Sequence, residues 1–356
     1  MKIAFVYAGG REARWKSALA GESPSDFFYG AVELAEAGHE VTCIDAPDPA
    51  HSLAAAFYNK FFGAHTPVRT RGEHLVAVGR ALSKLRGAEV IVAASTSHAN
   101  ALAMWKRWGL VSGRIIGIHC GHVNFPLDGI RQRNTARAMR EQDVVLFAES
   151  ERAETIRQCG VPPERVHANA FGVDADFWTP ADRPGEFVLA VGNDGRRDYA
   201  TLVAAIAELN VPVKIVTNRA LPALPPHVEH LRGSWHAPAV TDEELRELYR
   251  RALAVVVPLE DSIQPSGQSV ALQAMACGRP VILTRTRGLW TGEDFTDGRD
   301  LLLVEPGDAD ALRRALQRLL DAPALREQIG STAREAVLRG GRIEAFAARL
   351  EALFPR

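Results

Sequence analysis

Cysteine is scarce in this sequence and forms no pattern. The four cysteines (Cys43, Cys120, Cys159, Cys277) make no CxxC pair and have no histidines at zinc-site spacing. That argues against a disulfide scaffold or a structural zinc module and leaves reduced thiols of a cytosolic protein as the simplest reading. No apolar run reaches 18 residues, so nothing reads as a membrane span. The opening MKIAFVYAGG has one lysine and too short an apolar stretch for a signal peptide, and reads as a first strand. Repeats and low-complexity segments are absent, and a net charge of −1 supplies no global field to select nucleic acid.

What is present is ordinary for a globular protein: 47% apolar and 24% charged residues over 356 positions, enough for two domains that each bury a core. The charge is uneven, however. Residues 60–140 hold 13 Lys+Arg against 3 Asp+Glu, a local excess of +10.

Strands and helices alternate along the chain. Strands are expected at 2–7, 40–45, 89–94, 114–119 and 143–148, with helices at 53–62, 72–85, 97–108, 130–140 and 151–158. A glycine-containing loop (9–21) follows the first strand, then a helix capped by Ser25 or Asp26 and closed by Gly38. The segment 177–186, FWTPADRPGE, reads as an interdomain linker. Beyond it the pattern restarts, with strands at 187–191, 213–216, 254–257, 281–284 and 301–305. Helices are expected at 198–209, 241–251, 268–277 and 309–320, with a helical tail from 323. Alternation of this kind specifies parallel, doubly wound sheets, and ligands bind beyond the carboxyl ends of their strands.

Residues 254–284 (AVVVPLEDSIQPSGQSVALQAMACGRPVILT) are the most informative stretch. A buried strand leads through a Pro265-Ser266-Gly267 turn into a helix that Gly278 and Pro280 stop. Backbone N–H groups and the helix dipole at such a turn suit a phosphate. Ser269 and Gln273, four apart, share a face about 6 Å along the helix, a plausible step from a diphosphate to a ribose. The alternative at this point is an ordinary βαβ unit without a ligand.

The block GQSVALQAMACGRPVILT resembles the E-x7-E block of the retaining nucleotide-sugar glycosyltransferases of the GT-B fold (glycosyl transferases group 1). RGLWTGEDFTDGRDLLLVEPGDADALRRAL, GVPPERVHANAFGVDADFWTP, AVGNDGRRDYATLVAAI and AGHEV are similar to further blocks of that family, in the family's order. The resemblance implies two facing Rossmann-like doubly wound domains with a cleft between them. Residues 1–178 would be the acceptor side and 187–356 the donor side, with the last helix packing back on the N-terminal domain.

It also implies roles. Arg196 and Arg197, after a strand, would grip the diphosphate whose charge develops as the sugar–oxygen bond breaks, and Ser266, Gly267, Gln268 and Ser269 would offer it donors. The simpler alternative for the arginines is a solvated turn paired with Asp198. His119, at a strand end, would stand near the reacting sugar, with His122 a weaker candidate. Gly21 would approach the donor, although Glu22 replaces the family's second glycine there. Ser234 and Trp235 would touch the base. Gln273 stands where the family has a ribose-binding Glu, a change worth about 1 kcal/mol, and Pro265 stands at the other Glu position, with Glu260 and Asp261 nearby.

No DxD pair falls where a divalent cation would be needed, so the resemblance implies metal-independent transfer with no cofactor. The leaving phosphate would itself help to deprotonate the acceptor. The expected activity is transfer of a hexose from a UDP- or GDP-type sugar to a hydroxyl acceptor, in glycan, glycolipid or glycoconjugate biosynthesis. A non-catalytic nucleotide-sugar-binding module and a nucleotide-sugar epimerase are the competing readings. The +10 region holds Trp105-Lys106-Arg107-Trp108 and Arg133, Arg137 and Arg140 at i, i+4, i+7. These point to an anionic or lipid-linked acceptor and to a cytoplasmic protein in peripheral contact with the inner membrane surface.

Overall fold

The computed structural model describes residues 1–124, 129–232, 240–292 and 294–355. The chain forms two compact units, Met1–Ala170 with Phe346–Arg356, and Phe171–Ala345.

The first unit is built on a parallel sheet of β1 (Lys2–Tyr7), β2 (Glu40–Asp45), β3 (Val90–Ala93), β4 (Arg114–His119), β5 (Gln142–Leu146) and β6 (Val166–Ala168). Its spatial order is β2-β1-β3-β4-β5-β6. The second unit repeats the plan with β7 (Phe187–Val191), β8 (Val213–Val216), β9 (Val228–Leu231), β10 (Ala252–Val257), β11 (Val281–Thr284) and β12 (Leu302–Val304). Its order is β12-β11-β10-β7-β8-β9, again parallel throughout. Central strands such as VIVA (β3), FVLAV (β7) and VILT (β11) are buried along their whole length, because helices cover both faces of a parallel sheet.

In the first unit Val6, Ile91 and Ile115 pack against Leu75, Val78 and Leu102 from the helices Gly72–Ala81 and Thr96–Arg107. In the second, Val188, Ile215 and Val256 meet Leu202 and Leu316 from the helices Tyr199–Ile206 and Ala309–Asp321.

Several boundaries differ from the sequence reading. The loop after β1 contains a short helix, Trp15–Leu19. The helix expected from residue 26 is a 3-10 turn (Asp26–Phe28) followed by Ala31–Glu36, whose N-cap is Gly30 at φ 87 rather than Ser25 or Asp26. A Cβ on Gly30 would meet Ala347 at 3.0 Å, so a side chain there is opposed both by conformation and by space. The short edge strands β6 (VHA) and β9 (VEHL) had no apolar run to reveal them.

The segment read as a linker begins inside the second unit. Trp178 is 1% exposed and stacks edge-on to Tyr249 and Phe177, while Arg246 lies over the Phe177 ring. The units accordingly divide between 170 and 171 and again between 345 and 346, whereas the sequence reading placed the division within 178–187.

Candidate active site

In the second unit the chain leaves the neighbouring central strands β7 and β10 in opposite directions across the sheet, which makes their carboxyl ends the switch point where ligands bind. The loop after β7 runs Gly192-Asn193-Asp194-Gly195-Arg196-Arg197 into the helix Tyr199–Ile206. Backbone bonds zip it to the loop after β10: Asp198 N–H donates to Pro258 O (3.1 Å) and Glu260 N–H to Arg196 O (2.9 Å). Tyr199 and Thr217 hydroxyls both donate to Gly192 O at 2.7 Å, fixing the turn from beneath.

Arg197 is 5% exposed. Its Nε lies 2.7 Å from Asp194 Oδ2, and its Nη1 has no hydrogen-bond partner among the described residues. The alternative pairing with Asp198 does not form, because that carboxylate caps the following helix by accepting from Thr201 N–H and Oγ1. Arg196 is more open, its Nη1 3.7 Å from Glu260 Oε2.

Two glycines make room for the buried guanidinium. A Cβ at Gly192 (φ +150) would fall on Arg197 Nε, and one at Gly267 (φ +77) would lie 3.4 Å from Arg197 Nη1 and within the radius of Val257 Cγ1. Gly267 is also the N-cap of the helix Gln268–Ala276, so that helix starts with no side-chain cap on its first N–H groups. Flanking it, Ser266 Oγ and Gln268 Nε2 are buried and likewise lack a partner among the described residues. A buried cation, two unpartnered polar side chains and an open helix N-terminus therefore gather around one glycine. Positive potential and free donors in one place make a cradle for an anion.

Ser269, one position further, is half-buried. Gln273 is 4% exposed and its Oε1 accepts from Tyr249 Oη at 3.2 Å, so a bond from Gln273 to a ribose would have to displace or share that contact. Pro265 is buried in the turn, and Asp261 holds Arg287 by a 2.7 Å ion pair and a backbone bond. Ser234 and Trp235 lie outside the described residues.

In the first unit, β4 delivers His119 to a wholly buried polar cluster. His119 Nε2 is 3.0 Å from Gln142 Oε1. The Gln142 amide donates to Ala138 O, which leaves Oε1 to accept and places the imidazole proton on Nε2. Its Nδ1 is then a lone pair with no partner among the described residues. Desolvation lowers the His119 pKa to about 4, against a smaller upward pull from Gln142. His122 stands 5.5 Å away ring to ring, with Nε2 3.0 Å from Thr155 Oγ1 and Nδ1 3.8 Å from Glu151 Oε1. Burial drives the His122 pKa well down as well. It pushes the Glu151 carboxyl up to about 8, despite the N–H bond from Gly121.

The sequence reading missed Glu151 and Gln142, and both sit in helix or strand patterns where nothing sets them apart. It also missed Asp194 and Gly192, which a glycine directly after a buried strand could have flagged. Gly21 is exposed in the loop after β1, at φ +69, with no atom near its Cβ position. A cavity of about 130 Å³ does open at the carboxyl edge of this sheet, lined by Tyr29, Arg69, Ser95, Thr96, Cys120 and Phe147 among others. His119 is absent from its lining, because Ile118 and Cys120 point to the opposite face of the strand.

These two α/β units have the GT-B architecture. The chain is similar to sucrose-phosphate synthase from Thermosynechococcus elongatus over 99% of its own length and 98% of that chain (TM-score 0.71, 21% identity). It is similar also to Anabaena HepE in complex with UDP-glucose over 99% and 98% (TM-score 0.68, 14% identity). Residues 188–322 match the family described as Glycosyl transferases group 1, and that stretch contains the whole of the cradle.

Among curated relatives, the D-inositol 3-phosphate glycosyltransferase of Frankia alni is 28% identical over 277 residues, 65% of each chain. The MMP alpha-(1->4)-mannosyltransferase of Mycolicibacterium hassiacum is 25% identical over 236 residues, 63% of this chain and 56% of the relative. The matches thus span less than two thirds of either relative.

Proposed function

We propose that this chain is a retaining, metal-independent glycosyltransferase that moves a sugar from a UDP- or GDP-type donor to a hydroxyl acceptor. The observation that carries the reading is the unpartnered Arg197 Nη1 beside Ser266 Oγ, Gln268 Nε2 and the uncapped helix start. A buried guanidinium nitrogen left without a partner at a positive helix end is unfavourable in itself and gains a bond when an anion arrives. A nucleoside diphosphate supplies that anion, and its charge grows as the sugar departs, so the same groups stabilise the leaving diphosphate in the transition state. Fixed positive charge from Arg197 and Arg196 takes the place that a metal ion fills in other diphosphate sites. HepE, which shares the fold, binds UDP-glucose.

As the sugar leaves, the β-phosphate oxygen held in the cradle would take the acceptor proton. Thermal unfolding with UDP, GDP, ADP and CMP, each with EDTA and with magnesium, tests the donor class. Stabilisation by one diphosphate that persists in EDTA is expected. No stabilisation by any of them removes the proposal.

Pro265 and Gln273, in place of the family's two glutamates, favour a second reading, a module that binds nucleotide-sugar without turnover. Diphosphate stabilisation without release of UDP or GDP from the sugar donor in the presence of any hydroxyl acceptor would select it. Conversion of the donor without an acceptor would instead mark an epimerase.

A further inference from the structure

The helix Leu53–Phe62 carries an apolar face that nothing in its unit covers. Leu53, Phe57 and Phe61 are 91%, 60% and 54% exposed, and their spacing of four sets them in one row about 12 Å long. The Phe57 and Phe61 rings lie 4.7 Å apart. The opposite side of this helix is firmly held. Ala55 is buried, Ser52 caps the first turn by accepting from Ala55 N–H, and Asn59 bonds both Glu73 and Gly72. The exposed row is therefore a presented surface, since the helix that bears it is anchored to its neighbours.

A second apolar group adjoins it. Trp108 and Leu110 are each more than half exposed beyond the helix Thr96–Arg107. A depression of about 210 Å³ lies between Trp108 and the neighbouring face of the helix Leu53–Phe62, lined by Tyr58, Phe62, Met104, Arg107, Trp108 and Arg137 among others.

Cations surround this surface without acids to match them. Lys60 Nζ sits 5.4 Å from the Phe61 ring centre, Arg107 and Arg137 line the depression, and Arg133 lies one turn before Arg137 on the helix Gly129–Met139. None of the four has a carboxylate partner among the described residues; Arg137 reaches Asn134 Oδ1 instead. Arg140, the third basic residue of that series, donates to Gly160 O. The stretches 49–72 and 90–127 contain no Asp or Glu at all.

We propose that this face docks on an anionic phospholipid bilayer. Phe57, Phe61, Trp108 and Leu110 enter the boundary between head groups and acyl chains, while Lys60, Arg107, Arg133 and Arg137 pair with lipid phosphates. Large exposed apolar side chains ringed by unpaired cations match that interface in both chemistries. A second copy of the chain does not fit as well, because a two-fold contact would set these cations against their own copies, none of them with a carboxylate partner among the described residues. No helix among the described residues is long and apolar enough to cross a membrane, and this surface requires none.

The test is co-sedimentation of the full chain with vesicles of phosphatidylcholine alone and of phosphatidylcholine with phosphatidylglycerol, at low and at raised salt. Salt-sensitive binding to the anionic vesicles is expected, with a blue shift of tryptophan emission that Trp108→Phe diminishes. The pair Phe57→Ser and Phe61→Ser lowers vesicle partitioning at least about tenfold, at unchanged melting temperature because both rings are exposed. Arg107→Glu with Arg137→Glu removes the preference for anionic lipid. Absence of vesicle binding, binding indifferent to lipid charge, or binding untouched by the phenylalanine pair overturns the proposal. So does a dimer, seen by analytical ultracentrifugation, that the phenylalanine pair dissociates, since a second copy would then own the face. The readout needs no catalytic activity and so stands apart from the proposed transferase function.

Discussion

Arg197 and Glu151 are both buried ionisable groups, and their surroundings assign them opposite fates. Arg197 pairs with Asp194 and leaves Nη1 open, so it adds little to stability and, in the proposed site, offers that nitrogen to the anion. Arg197→Met should leave the melting temperature of the free protein unchanged or raised, yet abolish stabilisation by the nucleoside diphosphate. A variant that still responds to UDP or GDP would show that the anion binds elsewhere.

Glu151 is held neutral. Its folded pKa of about 8 exceeds the ordinary 4.5, so its contribution is complete below 4.5 and is lost as pH rises through 8. His119 and His122 are depressed below 6.5, so theirs is complete above 6.5 and is lost as pH falls, through about 4 for His119. Between 4.5 and 6.5 the folded state lacks two imidazole protons that the unfolded chain holds and keeps one carboxyl proton that the unfolded chain loses. From these groups stability rises with pH up to about 6.5 and declines from there to 8, at roughly 1.4 kcal/mol per pH unit. Glu151→Gln should flatten the alkaline limb in a pH series of urea melts, gaining more at pH 7.5 than at pH 6. An unchanged limb would mean that the carboxyl is ionised in the native state.

At the scale of elements, the helix Gln268–Ala276 owes its open start to Gly267. Alanine there would need φ +77 and would press on Val257 Cγ1, a cost of roughly 1–3 kcal/mol. Gly267→Ala should therefore lower the urea midpoint and also weaken nucleotide binding, because Arg197 shares the displaced space. Binding at wild-type strength would separate that helix start from the site.

The helix Asp242–Arg250 shows the contrasting case. Thr241 and Glu244 form a full capping box, and Thr241→Ala should cost about 1 kcal/mol without effect on nucleotide. The capped helix announces itself in the residues TDEE. The site helix could be located from Ser-Gly and its apolar spacing, but its freedom from a cap depends on the glycine. Edge strands β6 and β9 were illegible because a strand half open to water needs no apolar run, and their pairing with β5 and β8 is a tertiary event.

At the scale of the whole molecule, the last residues complete the unit with which the chain began. Phe346 and Leu350 are fully buried, Phe346 packing on Tyr29 and Phe147, while Arg349 bonds Asn169 and Ala170 O. His39 meets Glu351 at 2.9 Å and the Phe354 ring. A chain ending at Ala345 should lose several kcal/mol from the first unit, as expected for two buried large side chains. Its calorimetric trace should show that unit's transition shifted down or missing while the second unit melts as before. Coincident, unshifted melting would mean that the returning segment contributes no stability.

The sequence by itself determined the parallel α/β plan, the position of the phosphate-type turn after β10 and the arginine pair after β7. Apolar runs, glycines and helix stops are local signals, read without knowing what lies opposite. Only the tertiary structure decided that Arg197 is the buried partner of Asp194, that Gln273 bonds Tyr249, and that His119 lies in a closed polar cluster with Glu151. It likewise decided that the phenylalanines of the helix Leu53–Phe62 face outward. Burial and desolvation depend on neighbours far away in the chain, and apolar residues at helical spacing look the same whether their face meets a core or water.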